Sequence, residues 1–230
     1  MNHDFFEPLS RAGLNLQAVF NLSDLPADIA GSVAATGNFR QLILIGHGGG
    51  LIWSAVMASR FKKSTDPIDM FSIDHVKQWF ALHAPEVSFE MIYPFSQQPV
   101  ALQKLGELAG WHHPSPFRIG INQPWGSWFA YRVAVLADSC FEPTQRFCSA
   151  SPCDACVDKP CIAACPASAM ADGDLSLNEC VAYRLKSGSA CKHQCLSRLA
   201  CPVGVEHRYS SEQINYHYER SMWSIREHYR

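Results

Sequence analysis

The chain has 230 residues, of which 47% are hydrophobic and 17% are charged, and its formal net charge is −2. This length allows one large domain, or one domain with a smaller module. The near-neutral charge, without a cluster of lysine and arginine, gives little support to nucleic-acid binding, so we expect nucleic acid not to be a partner. No apolar run reaches the ~18 residues of a membrane span. No signal peptide is visible, which predicts a cytoplasmic protein.

Strands and helices alternate in the predicted first half of the chain. An apolar run over 42–45, followed by a glycine turn, predicts a buried strand that leads into a helix. The next helix is predicted to open at Pro67 and to stop at Pro85. Strict alternation over 87–91 predicts a half-buried strand, and a further helix is predicted to end at Gly110.

The remaining elements flank a cysteine-rich region. Segments 117–121 and 128–136 are interpreted as paired strands around the turn QPWG. Together with the elements before them, they predict a mixed α/β sandwich. Near the C-terminus, Ser210 and Gln213 have the spacing of a capping box and predict the start of a final helix.

All ten cysteines lie between Cys140 and Cys201. The run CDACVDKPCIAACP has the spacing C-x2-C-x4-C-x3-C-P, and a second run has the spacing C-x10-C-x3-C-x5-C-P. Eight cysteines in two runs of four, each closed by Cys-Pro, are typical of ferredoxins with two iron–sulfur clusters. In those proteins the fourth cysteine of a run ligates the other cluster. The two predicted ligand sets are Cys153, Cys156, Cys161 and Cys201, and Cys165, Cys180, Cys191 and Cys195.

Disulfides and zinc are the competing interpretations of the cysteines. Disulfides need an oxidising compartment, which the absence of a visible signal peptide argues against. Zinc sites favour paired C-x2-C knuckles, and the chain has one C-x2-C. Cys140 and Cys148 are left outside both sets. Free cysteines are most often inert thiols, and the alternative for Cys148 is a role as a substitute ligand.

Five segments outside the cysteines carry a resemblance to a known family. In chain order they are LILIGHGGGLIWSAV, TDPIDMFSIDHV, PEVSFEMIYPF, RIGINQPWGSWFAYRVAVL and RYSSEQINYHYE. They resemble the CblC-type cobalamin-processing proteins, whose core has a nitroreductase-like α/β fold. Epoxyqueuosine reductases and reductive dehalogenases share a related corrinoid-binding fold that is followed by a two-cluster module. The segment LNECVAYRLKSG is similar to the approach to the second cluster in the queuosine enzymes.

The resemblance implies an α+β protein with three parts. These are a nitroreductase-like sandwich over 1–147, a ferredoxin-like module with two 4Fe–4S clusters over 148–205, and a C-terminal helix over 206–230 that packs on the first domain. It also implies that cobalamin binds in the α/β domain and receives single electrons from the clusters.

Residues of a corrinoid pocket follow from the same resemblance: Trp125, Gly126, Trp128 and Phe129. Core packing is the alternative role for the aromatic members. Arg132 corresponds to an arginine with which the family holds glutathione. On a mostly apolar strand this charge needs a partner, either a carboxylate such as Asp138 or a phosphate of the ligand.

The implied function is electron delivery to a bound corrinoid, for cobalamin reduction, removal of its upper ligand, or trafficking. We expect an oxidoreductase of the cobalamin reductase or decyanase kind, whose partners are a corrinoid and an electron donor that the sequence does not name. One alternative is an enzyme of tRNA modification that resembles epoxyqueuosine reductase. The other is a ferredoxin-type electron carrier without a substrate of its own.

Overall fold

The computed structural model describes residues 5–33, 38–94 and 99–229. The chain divides into two compact units. Met1–His112 and Phe129–Cys148 form the first unit, and His113–Trp128 and Ser149–Arg230 form the second. One break, after Cys148, lies one residue beyond the expected boundary, but segment 113–128 also joins the cysteine-rich unit. None of the helices in the described ranges has the length and apolar composition needed to cross a membrane.

An antiparallel sheet lies at the centre of the first unit. Its strands are β1 (Leu16–Asn21), β2 (Gln41–Gly48), β3 (Phe89–Tyr93) and β4 (Phe129–Ala137). The strand order is β1-β2-β4-β3. Every residue of β2 is buried, which explains why this strand has a continuous apolar run rather than alternation. With helices beside this sheet, the fold fits the predicted α+β class.

Helices of the first unit begin and end near the signals in the sequence. They are α1 (Glu7–Arg11), α2 (Ala27–Ala30), α3 (Leu51–Ala58), α4 (Pro67–His83) and α5 (Leu102–Ala109). Proline is favoured at the first helical position because its missing N–H has no intrahelical partner there, and α4 begins at Pro67. Gly110 ends α5 with φ +77°, a left-handed conformation that glycine adopts without penalty. The three predicted helices, α3, α4 and α5, are confirmed.

Segment 117–121 does not form the strand that its pattern predicts. Only Ile121 makes a bridge there within the described ranges, with His113. Arg118 has φ +56°, which interrupts an extended chain. β4 pairs with β2 and β3 instead. The predicted pairing of 117–121 with the next strand was wrong because 117–121 does not form a strand, and the sequence pattern did not reveal the left-handed conformation at Arg118.

Short helices and loops make up the second unit. Its helices are α6 (Pro160–Ala163), α7 (Leu177–Leu185), α8 (Leu196–Ala200) and α9 (Ser211–His228). α9 starts as predicted, since the Ser210 hydroxyl accepts a hydrogen bond from the Gln213 backbone N–H at 3.2 Å. The side-chain amide of Gln213 is buried and has no hydrogen-bond partner among the described residues. The reciprocal bond of a capping box is therefore not made.

The C-terminal helix α9 belongs to the second unit, whereas the sequence placed it on the first domain. Met222 and Ile225 pack with Val181 of α7. Ile214 packs with Trp128 and Tyr209. An apolar stripe predicts which face of a helix is buried but not the surface that covers it. The partner of this stripe therefore had to come from the structure.

Candidate metal centre

Four cysteines of the second unit line one apolar pocket. We call them the first cysteine group: Cys153, Cys156, Cys161 and Cys201. Apolar residues and prolines form most of the remaining lining, including Phe117 and Ile121. Cys161 and Cys201 are buried in one hydrophobic cluster with these two residues and Met170. The pocket is mostly apolar, and its four thiols are buried or half-buried.

The thiols of the first cysteine group lie close enough to influence one another. Burial raises the pKa of the Cys153 thiol, and Cys201, Cys161 and Cys156 raise it further. Burial also raises the pKa of Cys161 and of Cys201, with Cys156 adding to both shifts. Thiols in this arrangement resist ionisation unless a positive centre binds them, and a coordinating metal supplies that positive charge.

The other four predicted ligands form the second cysteine group: Cys165, Cys180, Cys191 and Cys195. Burial raises the pKa of the Cys180 thiol, and Cys195, Cys165 and Cys191 contribute to the shift. The pKa of Cys191 is raised by burial and by two members of the same group. Among the described residues, every thiol that shifts another belongs to the same group.

Two short helices carry the chain between the groups. α6 contains Cys161 and is followed by Cys165, which belongs to the second group. α8 leads from Cys195 to Cys201, which lines the pocket of the first group. α6 and α8 pack against each other. The last cysteine of each run therefore lies with the thiols of the other group. Ligation of a metal by either group stays a prediction.

A cluster and a single metal ion place different demands on the spacing of their ligands. Among the described residues, no three His, Cys, Asp or Glu side chains are close enough to hold one metal ion. The ligands of one zinc ion all lie about 2 Å from the same atom. In a 4Fe–4S cluster each of the four cysteines binds a different iron, so the sulfur atoms stand further apart. The lack of a single-ion site among the described residues therefore does not argue against a cluster.

Cys140 and Cys148 lie in the first unit and are both exposed. The Arg40 guanidinium donates a hydrogen bond to the Cys140 sulfur at 2.7 Å. Neither thiol contributes to the pKa shifts of the two cysteine groups. Nothing in these contacts supports the use of Cys148 as a substitute ligand.

The residues expected along the corrinoid pocket are divided between the units. Trp125, Gly126 and Trp128 belong to the second unit, and Phe129 belongs to the first. Trp128 is only 1% exposed, and its ring centroid lies 5.3 Å from that of Tyr209. Trp125 contacts the ring of His207 at 4.4 Å. Within the second unit, these tryptophans therefore have packing roles.

Arg132 does not pair with Asp138, the carboxylate that the sequence suggested. Its Nε donates to Nδ1 of the fully buried His47 at 3.0 Å, and its Nη1 lies 3.6 Å from the Asp69 carboxylate. Asp138 pairs instead with Arg40 at 2.7 Å. Six residues along an extended strand span about 20 Å, so Asp138 is out of reach. The sequence signal for this partner was His47, a polar residue in a mostly apolar strand.

Gly126 is required by the backbone around it. It has φ +56°, and a Cβ atom there would overlap the carbonyl oxygen of Val203. We expect Gly126→Ala to lower the free energy of unfolding by at least ~3 kcal/mol, because backbone strain adds to a clash with backbone atoms. Gly188, with φ +74° and open space around it, is the matched control and should lose only ~1 kcal/mol. Chemical denaturation measures both losses, and equal losses would contradict the packing role.

Comparisons with known proteins show the relationship at the level of the fold. No protein-family model matches the chain, and no curated protein matches it. Epoxyqueuosine reductase from Streptococcus thermophilus matches with a TM-score of 0.53 and 14% identity, over 89% of this chain and 66% of that one. An epoxyqueuosine reductase solved with a stem loop of epoxyqueuosine-modified tRNA-Tyr matches with a TM-score of 0.57 and 11% identity, over 93% and 68%.

The B12-trafficking protein CblC from C. elegans matches at 15% identity and a TM-score of 0.49, over 97% of this chain and 94% of that one. This chain spans about two thirds of the length of the epoxyqueuosine reductases. The expectation that nucleic acid is not a partner is contested, because one structure of the same fold contains tRNA.

Proposed function

We propose that this protein holds two 4Fe–4S clusters and delivers their electrons to a bound corrinoid. The observation that carries the proposal is the separation of eight cysteines into two groups of four, with Cys165 and Cys201 exchanged between the runs. That exchange is the ligation pattern of two-cluster ferredoxins. When bound, the clusters supply one-electron transfer, and the chain supplies their ligands and their surroundings.

Apolar residues of the chain lie around the proposed first cluster. Phe117, Ile121 and Val203 line the pocket of the first cysteine group. Reduction adds negative charge, and an apolar pocket stabilises added charge poorly. The first cluster is therefore expected to be a strong reductant, which suits a cobalt centre that is difficult to reduce.

The corrinoid is proposed from the five segments that resemble CblC-type proteins. In the first unit, Phe129 and Arg132 remain candidates for contact with the ligand. The Arg132 side chain is 12% exposed and holds its charge between His47 and Asp69. A guanidinium placed in this way is suited to a phosphate or a carboxylate of a ligand.

Anaerobic titration of the purified, cluster-loaded protein with hydroxocobalamin tests the corrinoid. We expect saturable binding with a change in the cobalamin absorption spectrum. Arg132→Met is expected to weaken binding about tenfold, which corresponds to ~1.4 kcal/mol. Arg40→Met, in the same unit and exposed, is the control and should bind as the wild type does. An unchanged spectrum with no binding would contradict the proposal.

A second candidate is an epoxyqueuosine reductase-like function in tRNA modification. It is favoured by the TM-scores of 0.53 and 0.57 to such enzymes, one of them bound to a tRNA stem loop. Complementation of a queuosine-deficient strain separates the two candidates. Restored queuosine would favour the tRNA enzyme, whereas cobalamin binding without restored queuosine would favour the corrinoid reductase.

A further inference from the structure

The two cysteine groups have different electrostatic surroundings. Lys159 and Arg208 are cations near Cys153 and Cys201 of the first group, and both are exposed to solvent. Solvent and salt screen such charges strongly. The cation beside the second group is Arg184, which is only 8% exposed. A buried charge acts on its neighbours with much less screening.

Arg184 is held in place by neutral acceptors. Its guanidinium donates to the carbonyl of Cys191 at 3.1 Å, to the hydroxyl of Ser221 at 2.9 Å and to the carbonyl of Tyr218 at 3.3 Å. It also lies 5.1 Å from the centroid of the Tyr218 ring. None of these groups carries a negative charge, and a buried cation without an anion is costly. An iron–sulfur cluster with its four thiolates is an anion and supplies the missing charge.

Tyr218 adds a hydrogen bond to the second group. A hydrogen bond joins the Tyr218 phenol and the sulfur of Cys195. The phenol O–H is the donor in a hydrogen bond to a thiolate sulfur. Hydrogen bonds to the sulfur atoms of a cluster raise its reduction potential, because they stabilise the added negative charge.

We propose that Arg184 and Tyr218 make the cluster of the second cysteine group the more easily reduced of the two. A single electron that enters the protein then rests on that cluster, and the cluster of the first group accepts the next electron at lower potential. This inference rests on the proposed function, because it requires both clusters. Arg184 and Tyr218 are positioning residues, since they act through the ligands Cys191 and Cys195.

Anaerobic redox titration of the cluster-loaded protein, followed by electron paramagnetic resonance, tests the inference. The wild type is expected to show two separate reduction steps. Tyr218→Phe keeps the ring and removes the donor, so we expect it to lower the equilibrium constant of the easier step about tenfold, which is ~59 mV for one electron. Tyr183→Phe, on the same helix as Arg184, is the control and should leave both steps unchanged.

A variant beside the first cysteine group is the comparison for Tyr218→Phe. Lys159→Gln removes an exposed cation beside the first group, and we expect less than about a twofold change, confined to the harder step. If the wild type showed a single reduction step, or if Tyr218→Phe shifted the step at lower potential, the inference would be overturned. The proposal that the protein holds two clusters would not be affected. Protein that contains no iron and sulfide would overturn the proposed function itself.

Discussion

Serine at any one position of a cysteine group is expected to remove one cluster and to leave the other in place. Iron content should fall from about eight to about four atoms per chain, because each proposed cluster contains four irons and needs four thiolates. A serine hydroxyl does not ionise as a thiol does, so it is a poor replacement ligand. Iron and acid-labile sulfide, determined on anaerobically purified protein, measure the loss.

Double variants distinguish exchanged ligation from ligation within each run. Cys161→Ser with Cys201→Ser removes two ligands of the first group, so about four irons should remain. Cys161→Ser with Cys165→Ser removes one ligand from each group, so nearly all iron should be lost. Cys140→Ser, outside both groups, should retain about eight. If the double variant with Cys161→Ser and Cys165→Ser kept half of the iron, the exchange of ligands between the runs would be refuted.

Loss of the Trp128 side chain is the largest packing effect that we expect. Trp128 is 1% exposed, contacts Tyr209, and lies 4.2 Å below the guanidinium of Arg198. Trp128→Ala leaves a cavity and removes the ring that covers a buried cation. We expect the free energy of unfolding to fall by ~3–5 kcal/mol.

An exposed tryptophan of the same unit is the control for this effect. Trp223 is 65% exposed, so Trp223→Ala should change the free energy of unfolding by less than about 0.5 kcal/mol. Denaturant unfolding of the cluster-loaded protein provides both values. If Trp128→Ala abolished cobalamin binding with a loss below about 1 kcal/mol, Trp128 would be a pocket residue rather than a core residue.

The grouping of the cysteines could be predicted from the sequence because cluster ligation, which remains a proposal for this chain, follows strict local rules. Ligand number, short spacings and the closing Cys-Pro pairs restrict which thiols can share a cluster. The starts of α4 and α9 and the end of α5 were predictable for a similar reason, since proline, serine and glycine act within one helical turn.

Long-range partners were harder to predict. The pattern of β4 did not identify β2 and β3 as its neighbours, and the stripe of α9 did not identify Val181 as its partner. Arg132 was expected to need a partner, but its contact with His47 depends on the register of two strands. Arg184 was missed, although it follows Cys180 by one helical turn, which was the available signal.

Electron transfer from the clusters to cobalt is the most direct test of the central claim. The reduced protein, freed of excess reductant, is mixed anaerobically with hydroxocobalamin and followed by absorption and electron paramagnetic resonance. We expect the cob(II)alamin signal to grow as the reduced-cluster signals disappear, with one cobalt reduced for each cluster oxidised. Clusters that stay reduced beside unchanged hydroxocobalamin would contradict the claim.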